Sequence, residues 1–310
     1  MKNIHSVPKL LISLLGLALA VQSCIKEDMD DCDPNNVKIV IRTHTEHARS
    51  AAHPEIENAT LYLFDNAGTF VEATEFDRYI PGQPYVAEFQ LDPGLYKFVV
   101  WTNTGQSYTT NYTIEECYGQ HPSIDDMELT FNYPANGIVT EDIPDMFFGI
   151  NLRAEVKPNT NHEFPITLIP DSYRLNFVVE GLTPTASEYR FEVSDNNSHY
   201  NFDNSIIGGK DEFHYLRNTR FADNELTASM TVLRLLDDRT PRFDFIDITN
   251  RELLYSNNLV KIIRSAYSAG GQTVDFNKTF EFTITLRFDA QLNVSVSVDG
   301  WEYNPNETEL

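Results

Sequence analysis

Basic residues are scarce: 23 Lys and Arg stand against 46 Asp and Glu, a formal net charge of −23. That deficit removes nucleic acid from the partner classes, because phosphate backbones are held by basic patches. It also sets the chain against an anionic membrane surface, so charge alone cannot hold it to one. Glycine-rich phosphate loops, a Gly-x-Ser-x-Gly elbow, a His-Glu-x-x-His helix and Cys-x-x-Cys pairs are all missing, and with them the common settings for nucleophilic, phosphoryl or metal-assisted catalysis. Gly208-Gly209 and Gly270-Gly271 are isolated and read as turns. After residue 21 no apolar run is long enough to span a bilayer. An enzyme is not expected, nor a cofactor.

What is present begins at the N-terminus. Lys2 and Lys9 precede an apolar run from Leu10 to Val21, closed by Gln22-Ser23-Cys24. The run is about half of the roughly 20 residues that a spanning helix needs, so it reads as a signal peptide to be removed. Ser23 and Val21 before Cys24 resemble the lipobox of bacterial lipoproteins, with Cys24 as the lipidated first residue of the mature chain. Two acyl chains suffice for stable anchoring, each buried methylene contributing ~0.8 kcal/mol. The stretch Lys26-Glu27-Asp28-Met29-Asp30-Asp31 resembles the acidic tag of Bacteroidetes lipoproteins displayed on the outer face of the outer membrane; the plainer reading is a solvated tether. An exported location permits Cys32 and Cys117 to pair, and leaves two separate thiols as the alternative.

The remaining chain reads as all-β. Phe280, Phe282, Ile284, Leu286 and Phe288 alternate with polar residues, then after Asp289-Ala290-Gln291 the set Leu292, Val294, Val296 and Val298 does the same. The two form a hairpin of half-buried strands. Similar text occurs at Val37-Ile39-Ile41, Leu61 to Phe64, Val86 to Leu91 and Leu95 to Trp101, divided by turns rich in Gly, Pro, Asn and Asp, which is the pattern of β-sandwiches. Patterning is weakest at Lys157 to His162, which divides the chain into a signal peptide (1–23), an acidic tether (24–36) and two sandwiches (37–160 and 161–310). Leu259, Ile262, Ile263 and Ala266 lie at helical spacing and predict a short helix over 258–267 in the second sandwich.

Candidates for chemistry are thin. His44 and His47, with His53, could meet one ion only if the backbone turns there, and read as exposed loop histidines. Asp28, Asp30, Asp31 and Asp33 lack the turn glycine and closing glutamate of a calcium loop. Asp125-Asp126 and Asp237-Asp238 are adjacent, so on a strand their carboxylates would point apart rather than across a sugar. Trp101 and Trp301 are expected in a core or interface. A surface glycan-binding lipoprotein is the alternative function; it would need a flat aromatic face, with Tyr189, Tyr200 and Tyr215 as its nearest candidates.

Several pieces in order resemble the FimB/Mfa2 family of Bacteroidetes fimbrial anchor and accessory subunits. They are Cys24 with the acidic stretch and Cys32; Leu61-Tyr62-Leu63-Phe64-Asp65-Asn66-Ala67-Gly68 with Phe70; Gly94-Leu95-Tyr96-Lys97-Phe98-Val99-Val100-Trp101-Thr102-Asn103; Asp145-Met146-Phe147-Phe148-Gly149; and Val294 to Val298 with Asp299-Gly300-Trp301. The resemblance implies two tandem transthyretin-like, Greek-key sandwiches and a structural role at a fimbrium, with fimbrillin as partner and assembly by donor-strand exchange. In an anchor, Val37 to Arg42 would remain in its own groove while a segment near Leu292 to Leu310 engages the neighbour; Leu292 to Val298 as an internal strand is the competing reading.

Overall fold

A computed structural model of the chain describes residues 35–43, 56–105, 107–182, 188–208, 211–222 and 225–303. The first five strands are β1 (Asn35–Thr43), β2 (Ala59–Phe64), β3 (Phe70–Phe76), β4 (Tyr85–Leu91) and β5 (Gly94–Thr102). After them come β6 (Tyr108–Thr110), helix α1 (Ile114–Gln120), a 3-10 turn (Ile124–Asp126), β7 (Glu128–Phe131), β8 (Ile138–Val139), β9 (Phe147–Val156) and β10 (His162–Pro170). Seven of these strands make one sheet in the order β3-β2-β5-β9-β10-β1-β4. β10 runs parallel to β1 from Val37↔His162 to Thr43↔Leu168, then passes its last two residues to β9. That corner folds the sheet into a sandwich around Val37, Ile39, Ile41, Leu61, Leu63, Phe89, Phe98, Val100, Ile166 and Leu168.

The pairing therefore carries the first sandwich through Pro170, and the polar stretch at 157–161 is the turn between β9 and β10. A boundary at 160 on patterning alone separates β10 from its sheet, because a solvated turn and a linker share one composition. Residues 1–34, which hold the expected signal peptide and nearly all of the expected tether, lie outside the described residues.

The second sandwich is built from β11 (Ser172–Glu180), β12 (Tyr189–Asp195), β13 (His199–Asn201), β14 (Phe213–Asn218), β15 (Arg220–Ala222), β16 (Glu225–Leu233), β17 (Arg242–Asp247), β18 (Glu252–Asn258), α2 (Leu259–Ala269), β19 (Glu281–Phe288), β20 (Val294–Val298) and β21 (Trp301–Glu302). One sheet is β15-β16-β11-β19-β20-β21 and the other β18-β17-β12-β14-β8. Their inner faces meet in aromatic stacks, Phe177 on Phe191 at 4.3 Å and on Phe243 at 5.3 Å. The helix expected near 258–267 is α2, opened by Asn258, whose Oδ1 accepts the Lys261 N–H at 2.8 Å, and turned inward through Leu259, Ile262, Ile263 and Ala266.

Two small pairings knit the halves: β8 adds in parallel to β14, and β13 joins β7 and β6 in a three-stranded sheet. The larger tie is a pair of neighbouring strands of the first sheet, β2 and β5, covered on both faces. In β2 every residue is buried, and the last five of β5 as well. Leu61, Leu63, Phe98 and Val100 point into the first core, while Tyr62, Phe64, Val99 and Trp101 point the other way into the core of the second half. This is why those strands read as continuous apolar runs instead of alternating text. Phe202 seats itself on that second face, edge-on to Tyr62 at 4.8 Å and to Phe64 at 6.0 Å.

Candidate assembly site

β1 is the strand on which a strand-exchange reading turns. It is held on both sides, parallel to β10 and antiparallel to β4 from Asn35↔Leu91 to Ile41↔Tyr85. Val37, Ile39 and Ile41 are fully buried, so their seating contributes roughly 5–9 kcal/mol of hydrophobic free energy, before the entropy of ordering the strand. Asn35 pins the entry: its Nδ2 donates to the Leu91 carbonyl and its Oδ1 accepts the Thr160 N–H, both at 3.2 Å.

At the other end of the chain β20 pairs with β19 from Ile284↔Val298 to Phe288↔Val294, and β21 closes the edge. Val296 and Val298 are buried in the second core and Val294 is half-buried. Leu292 belongs to the turn, with φ 62° and 61% exposure. The Asp289 carboxylate accepts the Asn293 side-chain amide and the N–H groups of Asn293 and Gln291, each at 2.8 Å, which extends the turn to Asn293; the Asn293 side chain first, then these N–H groups, hold the Asp289 acid below the usual carboxylate range. Trp301, expected in a core or interface, is 41% exposed instead. It lies against the backbone at Gly270, where a Cβ would stand 2.3 Å from the indole.

The two edges of the first sheet differ. β3 is sealed by α1 and the segment after it: the Tyr118 hydroxyl bonds both the N–H and the carbonyl of Ala73 at 3.2 and 3.3 Å, His121 Nδ1 donates to the Phe70 carbonyl, and Phe70 N–H donates to Pro122. Helix α1 is fixed for this by a reciprocal cap, Glu116 N–H to Thr113 Oγ1 and Thr113 N–H to Glu116 Oε2. That Thr-x-x-Glu spacing is legible in the sequence. β4, at the opposite end of the order, has no such cover among the described residues.

The remaining candidates disperse. Trp101 is fully buried, as expected. Tyr189, Tyr200 and Tyr215 are buried as well, Tyr200 and Tyr215 almost completely, so they form no exposed face for a glycan. Asp125 and Asp126 lie in the 3-10 turn, and Asp237 pairs with Arg264 at 3.7 Å on the surface. Cys117 is buried and has no disulfide partner among the described residues; its thiol is pushed up to about 11 by burial and then by Glu116. Cys24, Cys32, His44, His47 and His53 lie outside the described residues. Among the described residues no group of three metal-binding side chains occurs, and no helix is long and apolar enough to cross a membrane.

One polar cluster has no counterpart in the sequence reading. Asp171, between β10 and β11, is almost wholly buried; Asn204 donates to its Oδ1 at 2.7 Å and Arg234 Nε stands 3.5 Å from the same oxygen. Burial raises its acid to about 7 against the opposing pull of Arg234 and Asn204. The three residues are far apart in the chain, so no local motif announces them.

The family model of fimbrillin-A associated anchor proteins Mfa1 and Mfa2 matches residues 29–307. The chain belongs to this family. Among solved structures, the fimbrial anchor protein Mfa2 of Porphyromonas gingivalis is similar at TM-score 0.68 and 17% identity, over 87% of this chain and 99% of that one. A Bacteroides thetaiotaomicron protein provisionally described as polysaccharide-binding reaches TM-score 0.71 at 18% identity, over 88% and 99% of the two chains. A Bacteroides ovatus protein provisionally described as an adhesin reaches 0.69 at 18%, over 88% and 97%. At these identities the likeness shows a shared all-β fold across nearly the whole length. No curated protein matches the sequence. Membership in the anchor family places the chain among fimbrial accessory proteins of the cell surface, a structural class and not an enzymatic one.

Proposed function

We propose that this protein is an outer-membrane lipoprotein, acylated on Cys24, that terminates a fimbrium at the cell surface by binding fimbrillin or a related subunit. The observation that carries the reading is β1 seated on both sides in its own first sheet, in a chain of the anchor family. A strand-exchange polymer grows only where a subunit leaves a slot for its neighbour's strand. A chain that fills its own slot ends the polymer on that side, as a unit fixed to the membrane must. The neighbour meets the C-terminal sheet, where Leu292 and the strand Val294, Val296 and Val298 lie beside the short edge β21. The acidic leader from Lys26 to Asp31 serves as the export tag and spacer.

The test is metabolic labelling with a tagged fatty acid in wild type and Cys24→Ala, combined with protease treatment of intact cells and affinity capture from outer membranes. The expected result is label on wild type alone, cleavage from outside, and a fimbrial subunit recovered with the protein. An unlabelled chain, or a labelled one that faces the periplasm and recovers no fimbrial subunit, removes the proposal.

A further inference from the structure

Exposed strand edges are templates for another chain, and folded proteins blunt them with short strands, bulges, charges or covering segments. Here β3 is covered by Tyr118, His121 and Pro122. In the second half β15 has three residues, β8 and β21 two each, and β18 carries a register shift where it meets β17. β4 is different: seven residues, Tyr85-Val86-Ala87-Glu88-Phe89-Gln90-Leu91, with no proline, no lysine and an unshifted register against β1.

The outer face beside that edge is ordered in rows. Directly opposed residues on neighbouring strands share a face. Glu163, Lys38 and Glu88 form one row across β10, β1 and β4, with Lys38 Nζ 3.2 Å from the Glu163 carboxylate. Pro165, Val40 and Val86 form the next. Both rows stop at β4, the first on an exposed acid and the second on Val86, which is 42% exposed while Val40 is 3% exposed. On the inner face Ala87, Phe89 and Leu91 mark the rim of the first core.

We propose that the β4 edge is a docking site for an extended segment of another protein, which adds as an eighth strand with Lys or Arg opposite Glu88 and an aliphatic residue opposite Val86. The basic residue continues the alternation acid, base, acid, and the aliphatic residue covers Val86. A second copy of this chain is disfavoured, since β4 offers no basic residue to meet Glu88 and each copy carries a formal charge of −23. β1 stays seated, so this contact is separate from the exchange of strands in the slot.

The test uses the full chain and two synthetic seven-residue peptides of alternating Thr and Val, one with a central Lys and one with a central Glu. Binding is read by fluorescence anisotropy and by hydrogen exchange over residues 85–91. The Lys peptide should slow exchange in β4 and bind about five-fold more tightly than the Glu peptide, a ratio set by exchanging one like-charge cross-strand pair for an opposite one. Glu88→Lys should invert the order. The proposal is overturned if neither peptide protects β4, if charge makes no difference, if protection of β4 rises with protein concentration alone (a second copy), or if the peptide accelerates exchange in β1 (entry into the slot).

Discussion

Replacing Phe202 by alanine tests the claim that β2 and β5, covered on both faces, join the two halves. Phe202 is fully buried and contacts Tyr62, Phe64 and, at 6.4 Å, Trp101, all of them on the outward face of the first sandwich. Its truncation forfeits the burial of a whole ring and leaves a cavity that the flanking aromatics fill only in part, a loss of about 3–5 kcal/mol. At roughly 2–4 °C per kcal/mol for a body of this size, Tm should fall by about 10 °C. The assay is urea unfolding in a Trp301→Phe background, which leaves Trp101 as the single tryptophan. Trp101 emission reports the shared face while far-UV circular dichroism reports all strands, and the two should shift together. A loss below about 1 kcal/mol, or a circular dichroism transition that moves while Trp101 emission does not, refutes the shared face.

Asp171 gives a pH signature. Its folded acid is raised to about 7 from 3.8, so the contribution is full below pH 3.8 and is lost as pH rises through about 7; urea midpoints of Asp171→Asn should therefore gain on wild type from pH 4 to pH 8, and a constant difference would contradict this. Gly181 has φ +84° and a Cβ there would meet the Phe288 carbonyl oxygen at 2.0 Å, so Gly181→Ala should cost more than about 3 kcal/mol in the same assay. Gly270→Ala should lift Trp301 from its seat and shift its emission to the red while costing little stability, because the indole is already 41% exposed. The Cys117 thiol, buried and raised to about 11, should react with a disulfide reagent at pH 8 only after urea is added.

Period-two text marks β4 and the β19–β20 hairpin, whose residues alternate between the core and the more open face, and it marks β1 although Val40 is buried on the outer face too. The helical spacing of Leu259, Ile262, Ile263 and Ala266 marks α2 in the same way. Where burial is two-sided the alternation vanishes, and Leu61 to Phe64 or Phe98 to Trp101 show strands without showing what lies on either side. Contacts that join remote segments leave no local trace. Asn204 and Arg234 reach Asp171 from the loops that follow β13 and β16, and β13 finds β7 across the whole junction. Trp301 departs from the average tendency of tryptophan to be buried because it sits on the short terminal edge strand, which leaves the indole 41% exposed.

Parallel closure sets an order in time. Asn35 bonds Thr160, 125 residues further on, and in the second half Asn176 bonds Glu281 across 105 residues. A first strand whose partner lies so far along the chain closes contacts of long sequence separation, and such contacts are reached slowly. Until β10 arrives, β1 is hydrogen-bonded on one side alone, and any other strand present in that interval competes with it on rate. Under the proposed strand exchange, self-filling is a race between an intramolecular arrival and an intermolecular one, which dilution of the neighbour decides in favour of β1.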